Sequence, residues 1–524
     1  MNKHIAPRRH NTKPTNSRTM KQRILFMTLM LGYMLGMSAM SGYKMEYNIS
    51  FDQARHYINV ELNVTFQQPA NDTHTLEMPV WAPGYYMILD YPKNLSDFKA
   101  TTPDGQTPLT WTKTSKNQWA IDVRQTGFKV TYRIYANEHS VAESRVEKDM
   151  AFIAPNGVFM YLDGDKQHEV TVSIDMPAGW DKASTGMKPA GQNSVPRRTF
   201  IAPDFDTLFD SPILLGNHFV TQFTHEGHDY EFAIETPDGL SETTFIDDFK
   251  RMVSQTTRLI GHVPYDNYCL IHLGAGGGGL EHLNSQACYT SGSYRFESRS
   301  EYLRHLSFVT HEYFHLYNVK SIRPFELGPF DYSRECYTPL LWVSEGFTCY
   351  YENRILLQAG IIDADYMLND LSSSIRTTET SEGHRHMSLR QSSYDIWLNF
   401  FNHSENVISY YDKGPILGLL FDIELRRLTD TDRGLDDLMR LLYNRYYLQL
   451  KRGFTEQEFW QAAEEVAGSS LAHLRRYVDT TDEIDYETLL TPAGLAIDRN
   501  NWQLHKVNKA SRQQEKLRKA IIGS

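Results

Sequence analysis

The hydrophobic pattern of this chain changes its period once, near residue 236, and that change limits the folds open to it. Between residues 43 and 235, short runs such as Tyr57 to Phe66 alternate apolar and polar side chains, and turn signals separate the runs. Period-two alternation with regular turns predicts an antiparallel β-sandwich. After the turn Pro237-Asp-Gly239, apolar residues recur at helical spacing, which predicts a mostly helical second part. We therefore predict a multidomain α+β chain.

The length of 524 residues favours two or three domains, because a single hydrophobic core seldom grows so large. We place a β-sandwich domain at residues 43–235 and a catalytic domain at residues 236–500. Residues 501–524 carry a cluster of basic side chains between Lys506 and Lys519. Such a cluster at a chain end is typical of a solvated or frayed tail, which we predict here.

Residues 1–42 have the pattern of a secretory signal. A Lys-Gln-Arg triplet at residues 21–23 precedes an apolar run over residues 24–39, and small residues follow it. The run is short and interrupted by glycine, so we predict no stable membrane span in the mature chain. Met20 directly precedes the basic triplet, so residues 1–19 can be a mis-called extension. We expect an exported protein that is periplasmic or secreted.

Charge and motifs argue against a nucleic-acid partner. The formal net charge is −11, whereas nucleic-acid-binding domains are usually basic. The run of glycines from Gly276 to Gly279 is not followed by the Lys-Ser/Thr pair of a phosphate-binding loop. We therefore predict no nucleic-acid partner.

The pentad His311-Glu-Tyr-Phe-His315 carries the strongest chemical signal. On a helix, residues four apart share a face, so both imidazoles can bind one metal ion. Glu312 lies off the metal but within reach of a water molecule bound to it, as in zinc hydrolases. The alternative is a helix that carries two histidines by chance. The nearby apolar residues Leu306 and Val309 favour a long, partly buried helix and hence the zinc interpretation.

Glu345 is the predicted third zinc ligand. A hydrolytic zinc site has three protein ligands and one open position, and two histidines with a glutamate form a standard set. We expect one Zn²⁺ per chain. A glutamate at a helix start is often only a first-turn charge that favours the helix dipole. Glu352 lies seven residues further on the same face and is a weaker rival ligand.

Four cysteines, at positions 269, 288, 336 and 349, lie in the middle of the chain. Export permits disulfides, but three pairings are possible and the sequence does not choose between them. For Cys349, one helical turn past Glu345, we predict a buried free thiol or half of a disulfide rather than a metal ligand.

The glycine run leads through Gly278 and Gly279 into Glu281. Glycine permits close backbone approach, so this segment is predicted to bind an extended peptide and to present Glu281 to it. A carboxylate there could hold the α-ammonium group of a substrate, although a glutamate in an ordinary loop is the alternative. Tyr411 precedes an apolar helix and could donate to an oxyanion. Spacing alone does not single it out among 31 tyrosines.

Four motifs in one order resemble the glycyl aminopeptidase family, a gluzincin group of zinc metallopeptidases related to thermolysin-like enzymes. The motifs begin at Gly278, His311, Leu341 and Tyr410, and the likeness covers nearly the whole mature chain. The resemblance implies a thermolysin-like zinc peptidase domain with a mostly helical C-terminal subdomain. Family members commonly continue into a PDZ domain. Only about thirty residues follow the corresponding segment here, so we expect no PDZ-mediated partner.

The same resemblance implies a role for each site residue. His311, His315 and Glu345 would bind zinc, Glu312 would act as the general base, and Tyr411 would stabilise the transition state. Glu281 would hold the substrate amine, although this chain has Leu-Glu-His where related enzymes have Met-Glu-Asn.

We therefore predict a zinc aminopeptidase that hydrolyses N-terminal residues, Gly or Ala by family resemblance, from peptides through a zinc-activated water. One alternative is an endopeptidase on the same site. The other is a catalytically silent peptide-binding protein on this scaffold.

Overall fold

The computed structural model describes residues 42–191, 196–400, 402 and 404–523. The predicted secretory signal falls almost wholly outside these residues. Buried side chains form two hydrophobic cores, one within the β-rich N-terminal part and one among the helices that follow. The predicted fold class, β-sandwich followed by a peptidase domain with a mostly helical C-terminal region, is confirmed.

The N-terminal part contains three sheets. A seven-stranded sheet has the order β13-β14-β11-β1-β2-β7-β4, and four-stranded sheets have the orders β10-β3-β6-β5 and β12-β15-β9-β8. Adjacent strands are antiparallel except β1 and β11, which run parallel. The strands are β1 (Tyr43–Asp52), β2 (Tyr57–Phe66), β3 (Asp72–Glu77), β4 (Leu95–Thr101), β5 (Trp111–Ser115), β6 (Gln118–Val123), β7 (Gly127–Tyr135), β8 (Arg145–Val146), β9 (Met150–Ile153), β10 (Tyr161–Leu162), β11 (Val170–Asp175), β12 (Lys182–Thr185), β13 (Lys188–Pro189), β14 (Arg197–Ala202) and β15 (Ile213–Gly216).

Strand β2 shows why alternation predicted the sandwich. Ile58, Val60, Leu62 and Val64 are all buried, whereas the residues between them are half-buried. Burying every second side chain places one face of the strand on the core, at roughly 25 cal/mol for each Å² of apolar surface removed from water.

A five-stranded sheet joins the two parts of the molecule. Its order is β16-β17-β18-β20-β19, with β19 at an edge. Side chains of β18 alternate between the cores, with Leu270 in the helical core and Ile271 in the β-rich core. Burial on both faces explains the continuous apolar run in this strand. The strands are β16 (Phe219–His225), β17 (His228–Ile234), β18 (Asn267–Ala275), β19 (Gly279–Glu281) and β20 (Ser285–Thr290).

This sheet crosses the predicted domain boundary at residue 236. The hairpin over residues 219–234 was assigned to the sandwich, but β17 pairs in parallel with β18 of the catalytic part. The alternating pattern of a hairpin shows that it has a buried face, and it does not specify which sheet the hairpin joins.

Helices pack against one face of this sheet and make up most of the chain that follows it. Two π-helical segments, over Trp342–Gly346 and Tyr443–Leu450, adjoin regular helices. A hairpin of β21 (Leu495–Asp498) and β22 (Gln503–Lys506) lies near the C-terminus. The helices are α1 (Phe205–Phe209), α2 (Glu242–Ile260), α3 (Arg299–Phe314), α4 (Phe347–Gln358), α5 (Ala364–Thr380), α6 (Leu389–Tyr394), α7 (Ile396–Asn399), α8 (Tyr410–Leu428), α9 (Leu435–Leu442), α10 (Glu456–Ala467), α11 (Ala472–Asp479), α12 (Tyr486–Leu490) and α13 (Arg512–Ile522).

The prediction of a solvated basic tail is wrong. Helix α13 buries Leu517, Ile521 and Ile522, and the backbone carbonyl of Ile521 accepts a hydrogen bond of 2.7 Å from buried Arg354. The basic residues occupy the outer face of an amphipathic helix, so a count of charges missed the apolar stripe between them.

All four cysteines are free thiols, so no disulfide joins them. Of the helices that the structure describes, none combines the length and apolar character needed to cross a membrane.

Candidate active site

Helix α3 positions both histidines of the pentad. The side chain of Ser298 caps the helix by accepting a hydrogen bond from the backbone N–H of Glu301. Leu306 and Val309 are fully buried and fix the helix against the sheet. His311 lies in the last turn of the helix, and His315 is the residue at which the helix ends. Both imidazole rings therefore lie at the C-terminal end of α3.

Three side-chain atoms converge at the end of this helix. The Nε2 atoms of His311 and His315 lie 3.0 Å apart. An Oε2 atom of Glu345 lies 3.1 Å from the His315 Nε2 and 3.6 Å from the His311 Nε2. All three residues are buried. Burial alone favours a neutral acid, but the two imidazoles hold the pKa of Glu345 far below its usual range.

Hydrogen bonds to the far ring nitrogens orient both imidazoles. The His315 Nδ1 lies 2.8 Å from the backbone carbonyl of Asn318, and the His311 Nδ1 lies 2.8 Å from Glu352 Oε2. Both partners are acceptors, so each Nδ1 carries a proton, and each Nε2 would present its lone pair to a metal ion bound beside Glu345. Glu352, the rival ligand, therefore contacts the opposite side of His311 from Glu345.

This arrangement fits a zinc ion. Two Nε2 atoms at 3.0 Å share either a proton or a metal ion, because two lone pairs facing each other at this distance would repel. Two ligand atoms on one tetrahedral zinc ion, each about 2.0–2.1 Å from it, lie roughly 3.4 Å apart. The separations between His311, His315 and Glu345 bracket that value. The donor set of two imidazoles and one carboxylate is also one that zinc prefers.

Glu345 lies within a π-helical turn rather than at the start of a regular helix. The turn runs from Trp342 to Gly346 and continues into α4. A methyl group on Gly346 would lie 2.5 Å from the Cα atom of Gly414 in α8, so only glycine permits this crossing. The close contact places the start of α8, which carries Tyr411, beside the turn that carries Glu345.

Tyr411 lines the same open cleft as His311. Its side chain is 40% exposed, and its ring centroid lies 6.3 Å from that of His311. The side chain of Ser409 caps α8 by accepting a hydrogen bond of 3.0 Å from the backbone N–H of Tyr411. The adjacent Tyr410 is buried. Tyr411, which lines the cleft, is therefore the tyrosine of this pair that a ligand in the cleft can contact.

Glu312 is buried against the glycine-rich strand. Burial raises its pKa to about 7, although His311 and His315 act to lower it. A Cβ atom on Gly279 would lie 2.2 Å from Glu312 Oε1, so the absence of a side chain lets the strand backbone approach this carboxylate. Gly278 has φ +93°, a left-handed conformation that favours glycine, and it lines the same cleft.

Glu281 ends strand β19 and is only 4% exposed. Its Oε1 atom has no hydrogen-bond partner among the residues described. Gly84 of the N-terminal part lies so close that a Cβ atom there would be 2.6 Å from this oxygen. Because β19 is an edge strand, its outer side can pair with an extended peptide that passes from the cleft towards Glu281.

The cleft has a volume of about 590 Å³ and brings together most of the predicted site residues. His311, Glu312, Gly278, Gly279 and Tyr411 all line it. The N-terminal part also contributes to its wall, which sequence reasoning missed because that part shows no cluster of catalytic residue types. The further lining residues from that part are Gly84, Tyr85, His139, Ser140 and Val141.

The fold and the site define a zinc metallopeptidase-like protein with a β-rich domain docked on the catalytic part. A sequence profile of the peptidase M61 N-terminal domain matches residues 46–217, and a profile of M61 glycyl aminopeptidase matches residues 304–417. The chain therefore belongs to the M61 glycyl aminopeptidase family and is a metallopeptidase. Neither match includes a PDZ domain.

Solved structures agree with this assignment. An aminopeptidase N family protein from Idiomarina loihiensis is 25% identical, with a TM-score of 0.81 over 90% of this chain and 82% of that chain. An M1 zinc metallopeptidase from Deinococcus radiodurans is 14% identical, with a TM-score of 0.53 over 84% of this chain and 94% of that chain. Yeast LTA4 hydrolase is 13% identical, with a TM-score of 0.51 over 86% and 68%. The last two show the shared fold alone. Comparison with curated protein sequences gives no significant match.

Proposed function

We propose that the protein is a zinc-dependent aminopeptidase that releases small N-terminal residues, Gly or Ala, from peptides. The observation that carries the proposal is the convergence of His311 Nε2, His315 Nε2 and Glu345 Oε2 within 3.6 Å, beside the buried Glu312. We further propose one Zn²⁺ per chain on these three ligands and an exported location, periplasmic or secreted.

Bound zinc would polarise the scissile carbonyl and lower the pKa of a water molecule. Glu312, a buried carboxylate beside the proposed ligands, would take the proton from the attacking water and pass it to the leaving amine. The Tyr411 hydroxyl donates a hydrogen bond to the oxyanion as the tetrahedral intermediate forms. The edge of β19 aligns the peptide backbone.

Glu281 supports the exopeptidase assignment. Its buried carboxylate, with one oxygen unpartnered in the described part of the chain, is suited to an α-ammonium group. Glu281, Gly84 and Tyr86 line one cavity of about 130 Å³. A cavity near this size holds a group no larger than about a benzene ring, and the preference for Gly or Ala within that limit rests on the family resemblance.

The test compares release of the first residue from Gly-, Ala- and Leu-peptide amides by the wild type and by Glu312→Gln. We expect kcat to fall about 10²- to 10⁴-fold in the variant, with zinc content unchanged. Equal rates would contradict the proposed mechanism. Chelation should abolish the wild-type activity, and added zinc should restore it.

A second comparison separates the proposal from an endopeptidase on the same site. Acetylation of the substrate N-terminus removes the charge that Glu281 would bind, so the acetylated peptide should be a poor substrate. Undiminished cleavage of that peptide would favour the endopeptidase.

A further inference from the structure

A cluster of charged side chains surrounds Glu281 in the cavity of about 130 Å³ that adjoins the cleft at Gly84. Lys320 Nζ lies 2.9 Å from Asp210 Oδ1 and 3.9 Å from Glu281 Oε1. His282 Nδ1 lies 3.0 Å from the same Oδ1 atom of Asp210. The side chains of Glu281, His282 and Lys320 are at most 7% exposed, and that of Asp210 is 17% exposed. Asp210 belongs to the N-terminal part, directly after α1.

Lys320 is the cation nearest to both carboxylates of this cluster. Burial alone would lower the pKa of Lys320, but Asp210 and Glu281 raise it, so Lys320 is an ammonium group. Burial would likewise raise the pKa of Asp210, but Lys320 and His282 hold it below its usual value. Arg323 and Asp206 also line the cavity. Asp210 and Glu281 therefore compete for the Lys320 ammonium group.

The distances show which carboxylate holds that cation. The Lys320 ammonium group makes a hydrogen bond to Asp210, whereas its 3.9 Å separation from Glu281 exceeds hydrogen-bond length. The Oε1 atom of Glu281 has no hydrogen-bond partner in the described structure, although it is buried. A buried carboxylate oxygen without a donor is costly, so an incoming donor with a positive charge would bind it favourably.

We propose that Asp210 holds Lys320 away from Glu281 and so reserves the Glu281 carboxylate for the α-ammonium group of the substrate. Lys320 moderates the repulsion between two buried carboxylates while its hydrogen bond goes to Asp210 and not to Glu281. Asp210 and Lys320 are thus positioning residues for recognition of a free N-terminus. The inference rests on the proposed aminopeptidase function.

Variants at the two positions should affect KM differently. In Asp210→Asn, Lys320 loses its closest anion and is free to pair with Glu281, so KM for a peptide with a free amine should rise at least about tenfold, with kcat little changed. In Lys320→Met the competing cation is absent, so KM should be no higher than in the wild type. The double variant Asp210→Asn/Lys320→Met again leaves Glu281 as the sole charge, and its KM should return towards the wild-type value.

The experiment measures KM and kcat for an Ala-peptide amide with the full chain and each variant, after thermal melting and zinc content are checked. Asp266→Asn is the matched control, because it breaks an exposed pair with Lys188 far from the cleft, and its KM should equal that of the wild type. If Asp210 and Lys320 had only a structural role, both single variants would have impaired kinetics, and the double variant would be no better than either.

Two results would overturn the inference. One is an unchanged KM in Asp210→Asn, and the other is a double variant as poor as the worse single variant. Glu281→Gln separates this failure from failure of the proposed function. If Glu281→Gln raises KM while Asp210→Asn does not, only the positioning role is refuted. If Glu281→Gln has the wild-type KM, Glu281 does not anchor the amine.

Discussion

The Nδ1 atom of His311 lies 2.8 Å from Oε2 of Glu352, so this imidazole is held from both sides by carboxylates of one helical segment. Glu345 faces its Nε2 atom, and Glu352, seven residues later in α4, faces its Nδ1 atom. A carboxylate that accepts from Nδ1 fixes the tautomer of the ring and raises the basicity of the nitrogen that binds the metal.

Replacing Glu352 should therefore weaken zinc binding without removing a ligand. In Glu352→Gln we expect the Kd for zinc to rise about tenfold or more, because the hydrogen bond to Nδ1 loses its charge. Competition with a chromogenic chelator measures this affinity. Glu487→Gln, at an exposed position on α12, serves as the control and should bind zinc as the wild type does. An unchanged Kd in Glu352→Gln would show that Glu352 does not support His311.

Tyr411 and Tyr410 provide a matched pair for the oxyanion donor. Tyr411→Phe should lower kcat about 10²- to 10³-fold with little change in zinc content, because it removes one donor to the transition state. Tyr410→Phe alters the buried neighbour and should retain most of the wild-type kcat. Steady-state kinetics on an Ala-peptide amide measure both. The opposite ranking would assign the donor role to Tyr410.

The C-terminal helix should contribute to stability. Leu517 is 1% exposed, so Leu517→Ala in α13 should lower the free energy of unfolding by about 2–5 kcal/mol through lost burial and a residual cavity. Lys519→Ala, on the exposed face of the same helix, should change it by less than about 0.5 kcal/mol. Denaturant unfolding measures both values. Equal, small effects would show that α13 is not part of the cooperative core.

His272 should make the protein less stable in acid. It is fully buried, it pairs through Nδ1 with the Tyr294 hydroxyl, and its Nε2 has no partner among the residues described. Burial, together with nearby His305, holds the pKa of His272 well below its usual value. The unfolded chain therefore binds more protons below pH ~6.5, and stability falls as the pH decreases from there.

Removing this imidazole should reduce that dependence. In His272→Phe, the slope of unfolding free energy against pH between about 6 and 5 should be smaller by up to about 1.4 kcal/mol per pH unit. Denaturant unfolding across this range measures the slope. A slope equal to that of the wild type would show that His272 does not gain a proton on unfolding.

Local patterns were sufficient for much of the fold and for the centre of the site. Alternation in β2 and the four-residue spacing of His311 and His315 depend on periods that neighbouring residues reveal. Glu345 could be predicted as the third ligand because a short sequence motif surrounds it. The structure brings these ligands together as predicted, and their roles in catalysis stay predictions.

Long-range relationships could not be predicted in the same way. The contact between Asp210 and Lys320 joins residues 110 positions apart, and each looks like an ordinary surface charge in sequence. Glu352 was predicted as a rival ligand. Its observed contact with the His311 Nδ1 atom depends on which side of His311 helix α4 passes, and the sequence does not specify this. The packing of α13 was missed because its charges outnumber its three buried apolar residues.

The close approach of Gly84 to Glu281 means that both parts of the chain contribute to the proposed active site. The three proposed zinc ligands lie between positions 311 and 345, whereas Gly84 and Asp210 of the β-rich part lie beside Glu281, the proposed amine anchor. Under the proposed function, bond cleavage and recognition of the substrate N-terminus would thus depend on different portions of one polypeptide. Substitutions where the β-rich part contacts the catalytic part could change which N-terminal residues are accepted while leaving the hydrolytic chemistry intact.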